Sequence, residues 1–283
     1  PNIAGCMASV IWTVPQISDN CSYTIASSHT PGDNFPVGIT TVSYDVTDPS
    51  GNITQCQFTI DVLSIPLGLS LQPSLYQCGY NISCSGSADG SITGSVTGGC
   101  PPYQYNWSTG ATTGTLNGLV AGTYQLDVTD ANGDAASANI TLAEPSLIST
   151  SSVQLSVYTG GFNISCNGAL DGSIAVDFSG GADCDNYIYS WSGPGGFGST
   201  DQDISGLAAG NYVLTLTDAN GCVHTEDVVL LEPSAITITT TSVIDVSCSG
   251  FNDGSATVGV SGGVTPYGYL WSTGETTAQA SNL

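Results

Sequence analysis

The chain has 283 residues and neither a lysine nor an arginine. At average usage a chain this long carries on the order of thirty. Set against 23 Asp and Glu, and with only two His, the formal charge is −23. The absence excludes whole classes of function. Nucleic acid is removed as a partner, because no cationic side chain is there to neutralise phosphates. Anionic lipid loses its electrostatic attraction for the same reason. A P-loop lysine, a Schiff-base lysine, an arginine finger and a lysine isopeptide crosslink are all impossible.

Other absences narrow the field. No apolar run approaches the roughly 18 residues that span a bilayer, so direct membrane insertion is not expected. No charged segment and apolar core follow Pro1, and the chain stops at "ASNL" part-way through a repeat. Both ends therefore look internal to something longer. The ten cysteines contain no Cys-x-x-Cys pair. That spacing weakens zinc and thioredoxin-like chemistry and favours disulfides in an oxidising, extracellular setting. His29 and His224 lie in separate modules, outside any nucleophile motif. Asp201/Asp203 and Asp183/Asp185 are sequence neighbours, which rarely flank a substrate as the carboxylates of a hydrolase must. No enzymatic activity is expected.

What is present is short-period alternation. Hydrophobic residues make up 40% of the chain, separated by Thr, Ser, Asn and 36 Gly. "NISCSGSADGSITGSV" (81–96) returns as "NISCNGALDGSIAVDF" (163–178) and "DVSCSGFNDGSATVGV" (245–260). The cysteines in these phrases keep one interval, 166 − 84 = 82 and 248 − 166 = 82. "LVAGTYQLDVTDANG" (119–133) likewise matches "LAAGNYVLTLTDANG" (207–221). Within each phrase apolar residues fall at every second position, as in half-buried strands, and Asn-Gly between two such runs signals a hairpin. The fold class is all-β: tandem immunoglobulin-like β-sandwich domains in an elongated array.

A third phrase, "YQYNWSTG" (103–110), recurs as "YIYSWSGP" (187–194) and "YGYLWSTG" (267–274). Alternate side chains of a strand share one face, so Tyr105 with Trp107, Tyr189 with Trp191 and Tyr269 with Trp271 form aromatic rows. Such rows suit a sandwich core, and the first Tyr of each is the nearest to solvent. The alternative is an exposed platform for sugar rings.

Taken together, "ISCNGALDGSIAV" and "ISGLAAGNYVLTLTDANGCVHTEDVVLLEP" resemble the SprB repeat of Bacteroidota giant cell-surface adhesins. The resemblance covers about 64–283. Residues 1–63, with "VIWTVPQISDNCS", "FPVGITTVSYDVTDPSGN" and "CQFTIDV", are similar instead to the hyalin repeat, or HYR domain. The implied division is a partial HYR-like sandwich at 1–63, repeats at 64–146 and 147–234, and a truncated repeat at 235–283. The SprB-like pattern implies a disulfide between Cys166 and Cys222. Repeat 1 has Asp134 in the place of Cys222, which leaves Cys84 to Cys100, to Cys78 or unpaired. Pairs 84–100 and 166–184 compete. In the HYR-like part Cys6 is expected to bond Cys21.

Asp130-x-Asn132-x-Asp134 is the candidate calcium loop, since alternate oxygens can converge on a hard cation. No other cofactor is implied. The Asp-Gly steps at 89–90, 171–172 and 253–254 favour turn chemistry over ligation. The resemblance implies a structural or adhesive segment of a long extracellular filament, displayed on the outer membrane, exported by type IX secretion and serving gliding or attachment. Its partners would be neighbouring repeats, surface polysaccharides or further copies of itself. A carbohydrate-binding module array is the alternative.

Overall fold

The structure, a computed structural model, describes residues 6–184 and 187–283. β-Branched and aromatic residues alternate with Ser and Thr between glycine-rich turns, and strands form where they do. Among the described residues the helical segments are single 3-10 turns, Gln77–Gly79 and Pro194–Gly196. The chain divides into two units. One comprises Pro1–Leu75 and Gly86–Ala143, the other Tyr76–Ser85 and Glu144–Leu283.

The first unit begins with β1 (Met7–Ser9), β2 (Thr24–Ser27), β3 (Asn34–Pro36), β4 (Gly38–Thr47) and β5 (Ile53–Val62). β4 and β5 pair from Gly38↔Val62 to Thr47↔Ile53, with β2 on the other side of β4 and β1 paired to β3. The β4–β5 turn is tied by the Asp48 carboxylate, which accepts N–H from Ser50 and Asn52. Phe35, Val42, Tyr44 and Ile60 are the core, with Trp12 packed edge-on to Phe35 and Phe58. The Trp12 indole donates to the Tyr44 hydroxyl at 2.7 Å, satisfying its one polar atom.

The same unit continues with β6 (Gly68–Pro73), β7 (Gly90–Thr97), β8 (Gln104–Trp107), β9 (Thr115–Leu119), β10 (Gly122–Thr129) and β11 (Ala135–Leu142). These form two sheets, β6-β7-β9 and β8-β10-β11. Ile92, Trp107, Leu116, Leu126 and Val128 are buried, the inward face that the alternation assigns. Gly94 sits on that face because the sheets approach closely there. A Cβ at that position would lie 2.6 Å from a Leu126 methyl.

The second unit holds β12 (Ser149–Leu155), β13 (Gly172–Ser179), β14 (Ile188–Ser192), β15 (Gly198–Ser199), β16 (Ile204–Leu207), β17 (Gly210–Thr217) and β18 (Val223–Leu230). The pattern of the first repeat returns as sheets β12-β13-β16 and β15-β14-β17-β18. Ile164, Ile174, Val176, Trp191, Leu214 and Leu230 are among its core residues. Repeat 3 contributes one sheet, β19 (Thr237–Ile244), β20 (Ser255–Ser261) and β21 (Gln279–Ser281) in that order. All-β, immunoglobulin-like sandwich architecture is thus the fold of the chain.

The aromatic rows divide between these environments. Trp107 and Trp191 are 2% and 3% exposed, and each indole donates to a backbone carbonyl, of Thr113 and Asp201 respectively. Tyr105 and Tyr189 are half-buried beside them. Burial, with Asp203 and Asp177 nearby, pushes the Tyr189 phenol above its usual range. Trp271 and Tyr269 depart from the expected core position and are only half-buried. The sequence stops at Leu283, before the stretch that would correspond to β17 and β18, the strands that extend the sheet beside Trp191 in repeat 2.

Candidate functional site

The cysteines carry the main departure from expectation. Three disulfides form: Cys6–Cys100, Cys78–Cys184 and Cys84–Cys222. Their Cα separations are 5.3, 5.6 and 5.7 Å, within the range a disulfide requires. None closes within one sequence repeat. Cys6 lies in the HYR-like part and Cys100 in repeat 1, while Cys78 and Cys84 of repeat 1 bond Cys184 and Cys222 of repeat 2.

The expected pairs Cys166–Cys222 and Cys6–Cys21 are therefore corrected, as are the alternatives 84–100 and 166–184. Cys21, Cys56, Cys166 and Cys248 are exposed thiols. The physical reason for the first correction is the direction of the two turns. Cys222 lines a hollow with Pro145 and Ser146, on the link that enters repeat 2. Cys166 lines another with Pro233 and Ser234, on the link that leaves it. The "ISC" turn and the "NGC" turn of one repeat thus face opposite neighbours. In the HYR-like part, Cys6 lines a hollow with Ile65, Gly99 and Cys100, and the Gly99 N–H donates to the Ile65 carbonyl there. Cys21 lies on an exposed stretch before β2.

The turn that carries Cys222 grips the 76–85 segment by hydrogen bonds as well. Asn220 Oδ1 accepts the Gln77 N–H at 2.9 Å, and Asn220 Nδ2 donates to the Ser83 carbonyl at 2.9 Å. The turn itself is organised by a buried carboxylate. Asp218 Oδ2 accepts the Ala182 N–H at 2.7 Å, and Oδ1 accepts those of Asn220 and Cys222 at 2.9 Å each. Asp130 does the same in repeat 1, accepting from Cys100 at 2.7 Å and from Asn132 and Asp134 at 2.9 Å each. Burial pushes the Asp130 carboxyl up, but the N–H groups of Cys100, Asp134, Asn132 and Gly133 outweigh it and hold it below the usual carboxylate range. Glycine is required opposite: a Cβ on Gly181, at φ +66°, would meet the Asp218 carboxylate at 2.8 Å.

This arrangement bears on the calcium loop. Asp130, Asn132 and Asp134 do come together, but around a carboxylate whose oxygens already hold three backbone N–H groups. The Asn132 amide is turned toward Cys100 Sγ, 2.8 Å away. No group of three or more His, Cys, Asp or Glu side chains placed to hold a metal ion occurs among the described residues. The Asp-Gly steps at 171 and 253, expected as turns, lead instead straight into β13 and β20, and the Asp171 and Asp253 carboxylates tie back the preceding loops by accepting the N–H of Ser165 and Ser247. Hydrogen bonds to those serines are the main reason both carboxyls lie below the usual range.

The remaining candidates resolve as surface or strand contacts. His224 Nε2 lies 3.1 Å from Thr150 Oγ1, which donates to Glu226 Oε2, so the cluster joins β12 to β18. His29 Nδ1 is 3.0 Å from Ser28 Oγ on an exposed turn. Asp201 accepts from Ser199, and Asp203 from the Val176 N–H. Asp183/Asp185 is a pair whose second member lies outside the described residues. No helix among the described residues is long and apolar enough to cross a membrane.

Comparison with known proteins agrees with the sequence repeats. Residues 5–62 match the family model of the HYR domain. Residues 80–112, 163–196 and 240–276 match that of the SprB repeat. Among curated proteins, Hyalin of Lytechinus variegatus is 53% identical over 55 residues, 19% of this chain and 10% of that protein. "Sushi, von Willebrand factor type A, EGF and pentraxin domain-containing protein 1" of Mus musculus is 45% identical over 64 residues, 22% of this chain and 2% of that protein. The chain thus spans a tenth or less of these relatives' length. Similar solved structures include the N-terminal eight Ig domains of Down Syndrome Cell Adhesion Molecule, at TM-score 0.33 and 11% identity over 79% of this chain and 32% of that one. Protocadherin fragment PcdhgB3 EC1-4 gives TM-score 0.31 and 10% identity over 81% of this chain and 71% of that one. The fold assignment itself rests on the strand pairing described above.

Proposed function

We propose that the chain is a structural, adhesive segment of a long extracellular surface filament, with module boundaries near 63, 146 and 234. What supports this is that the three disulfides join residues 94, 106 and 138 positions apart, on opposite sides of the proposed boundaries. A module that merely needed stability would close its own loops. Bonds between modules instead resist their separation under load. The loops 6–100, 78–184 and 84–222 overlap, so every position from 6 to 222 lies within at least one. A single backbone cleavage anywhere in that span leaves the pieces covalently joined.

The effect on extension is large. A pull between Cys6 and Cys222 passes from Cys6 to Cys100, back along 100 − 84 = 16 residues, and across to Cys222. At about 3.5 Å per extended residue that path is about 60 Å, plus the two bridges. Reduced, the same points are separated by 222 − 6 = 216 residues, or about 750 Å. Single-molecule stretching between these sites should show the short limit under oxidising conditions and the long one after reduction. Equal limits in both states would remove the load-bearing role.

The match to SprB repeats supports the finer proposals: outer-membrane-anchored display, type IX export, and a part in gliding or attachment. Antibody labelling of intact producing cells tests display, and absence of surface signal contradicts it. The carbohydrate-binding alternative, in which exposed Tyr and Asx do the recognition, finds Trp107 and Trp191 buried and Tyr105, Tyr189, Tyr269 and Trp271 half-buried, and binding of the chain on a glycan array would favour it.

A further inference from the structure

Repeat 2 differs from the other repeats at one step of its "ISC" turn. Asn167-Gly168 follows Cys166, where repeats 1 and 3 have Ser85-Gly86 and Ser249-Gly250. Both nitrogens of that step rest on one carboxylate. The Gly168 N–H donates to Glu232 Oε2 at 2.6 Å, and Asn167 Nδ2 donates to Glu232 Oε1 at 3.0 Å. Asn167 Nδ2 also donates to the Pro233 carbonyl at 3.3 Å, so the turn holds the link that leaves the repeat. Three other Asn-Gly steps begin at Asn117, Asn132 and Asn220. At the last two the glycine N–H donates to a backbone carbonyl, of Asp130 and Asp218, which takes up no proton near neutral pH.

We propose that Asn167-Gly168 is a self-modifying site, at which Glu232 promotes deamidation of Asn167. The Gly168 nitrogen attacks Asn167 Cγ, and the new C–N bond closes a five-membered succinimide. Glu232 Oε2 takes the proton from that nitrogen. A proton from Oε1 goes to Nδ2, which leaves as ammonia when the Cγ–Nδ2 bond breaks. Water then opens the ring to aspartate or isoaspartate at position 167. Nothing is oxidised or reduced, and water is the only co-reactant. A carboxylate that bridges the attacking and the departing nitrogen acts as general base and then general acid, an effect of about 100-fold or more. Gly168, at φ +77°, adds no side chain to hinder the attack. The product replaces an N–H donor by a carboxylate facing Glu232 and the Pro233 carbonyl. Like charges so close repel, and the turn releases the link. The inference is independent of the adhesive reading, because every group it uses belongs to repeat 2.

The test follows the Asn-Gly steps of the 283-residue chain by peptide mapping during incubation near neutral pH. Digestion is at acidic pH with a protease that cuts after aromatic and aliphatic residues. In the native chain Asn167 should convert about 100-fold faster than Asn132 or Asn220. It should also convert faster than in urea, where Glu232 is no longer held against it. Glu232→Gln should slow Asn167 alone, by about the same factor. Hydrogen exchange at Gly168 should rise as the wild-type chain converts and stay constant in Asn167→Ser. Slower conversion of Asn167 in the native chain than in urea overturns the proposal, because the hydrogen bonds then protect the amide. So do equal native rates at Asn167, Asn132 and Asn220, and so does a folded Glu232→Gln chain that converts as fast as the wild type. If that variant fails to fold, the comparison of the native chain with urea decides alone.

Discussion

At the scale of single residues, the account turns on a few side chains whose surroundings differ between repeats. Trp191 sits in a closed sandwich, and Trp271 holds the same sequence position on an open sheet. Trp191→Ala should therefore destabilise the second unit by about 3–5 kcal/mol, with Trp271→Ala well below that. Denaturant unfolding of the two variants checks the difference, and equal losses contradict it. Asp130 gives a pH dependence whose sign follows from its lowered carboxyl. A group with a depressed folded pKa stabilises fully above the ordinary carboxylate range, and that contribution is lost as pH falls through the folded value. Stability of the first unit should hold near neutrality and decline below the usual carboxylate range. Asp130→Asn should be weaker at neutral pH but show a shallower acid decline. Parallel acid curves for the two proteins would mean that Asp130 is not among the responsible groups.

At the scale of elements, the strands were legible because alternation is local. Ile92, Trp107, Leu126 and Val128 face inward as their spacing requires. The disulfides were not, because cysteine spacing does not reveal which way a turn faces. Cys222 lies 56 residues from Cys166 and 138 from Cys84, and the phrases around both candidates are alike. One signal did exist. Repeat 1 has the cysteine of "ISC" but Asp134 in place of Cys222, so pairing within repeats orphans Cys84. Pairing displaced by one repeat leaves no orphan at that boundary. At the next boundary Gly160 stands where Cys78 does, 160 − 78 = 82, and its neighbour there is Val264, the first residue after a glycine pair, whereas Cys78 bonds Cys184, the third after its own. A Cβ on Gly160 would lie 3.5 Å from Val264 Cγ1. Gly160 has φ +90°, where a side chain is strained, and its Cβ would also lie 3.1 Å from the Phe162 ring, although Cys78 itself holds a left-handed φ of +60°. The double variant Gly160→Cys, Val264→Cys should close a fourth disulfide in air, read as four titratable thiols in the unreduced variant, where an unformed bond would leave six. Persistence of both new thiols would mean that positions 160 and 264 do not approach as that contact indicates.

At the scale of the whole molecule, the missing lysine and arginine and the overlapping loops act together. Trypsin has no site in the chain, folded or unfolded, and one cut by another protease between 6 and 222 separates nothing until the disulfides are reduced. Sparse charge of one sign adds like-charge repulsion between copies, which favours solubility. The loops also restrict the unfolded chain, each by about 4–5 kcal/mol in the chain-entropy model, and less where they overlap. All of this depends on the connectivity. The most direct measurement is disulfide mapping by mass spectrometry of the unreduced protein, digested at acidic pH with a protease that cuts after aromatic and aliphatic residues. The expected map joins Cys6 to Cys100, Cys78 to Cys184 and Cys84 to Cys222, with Cys166 free. A map joining Cys166 to Cys222, or Cys6 to Cys21, would place the bonds within modules and contradict the account.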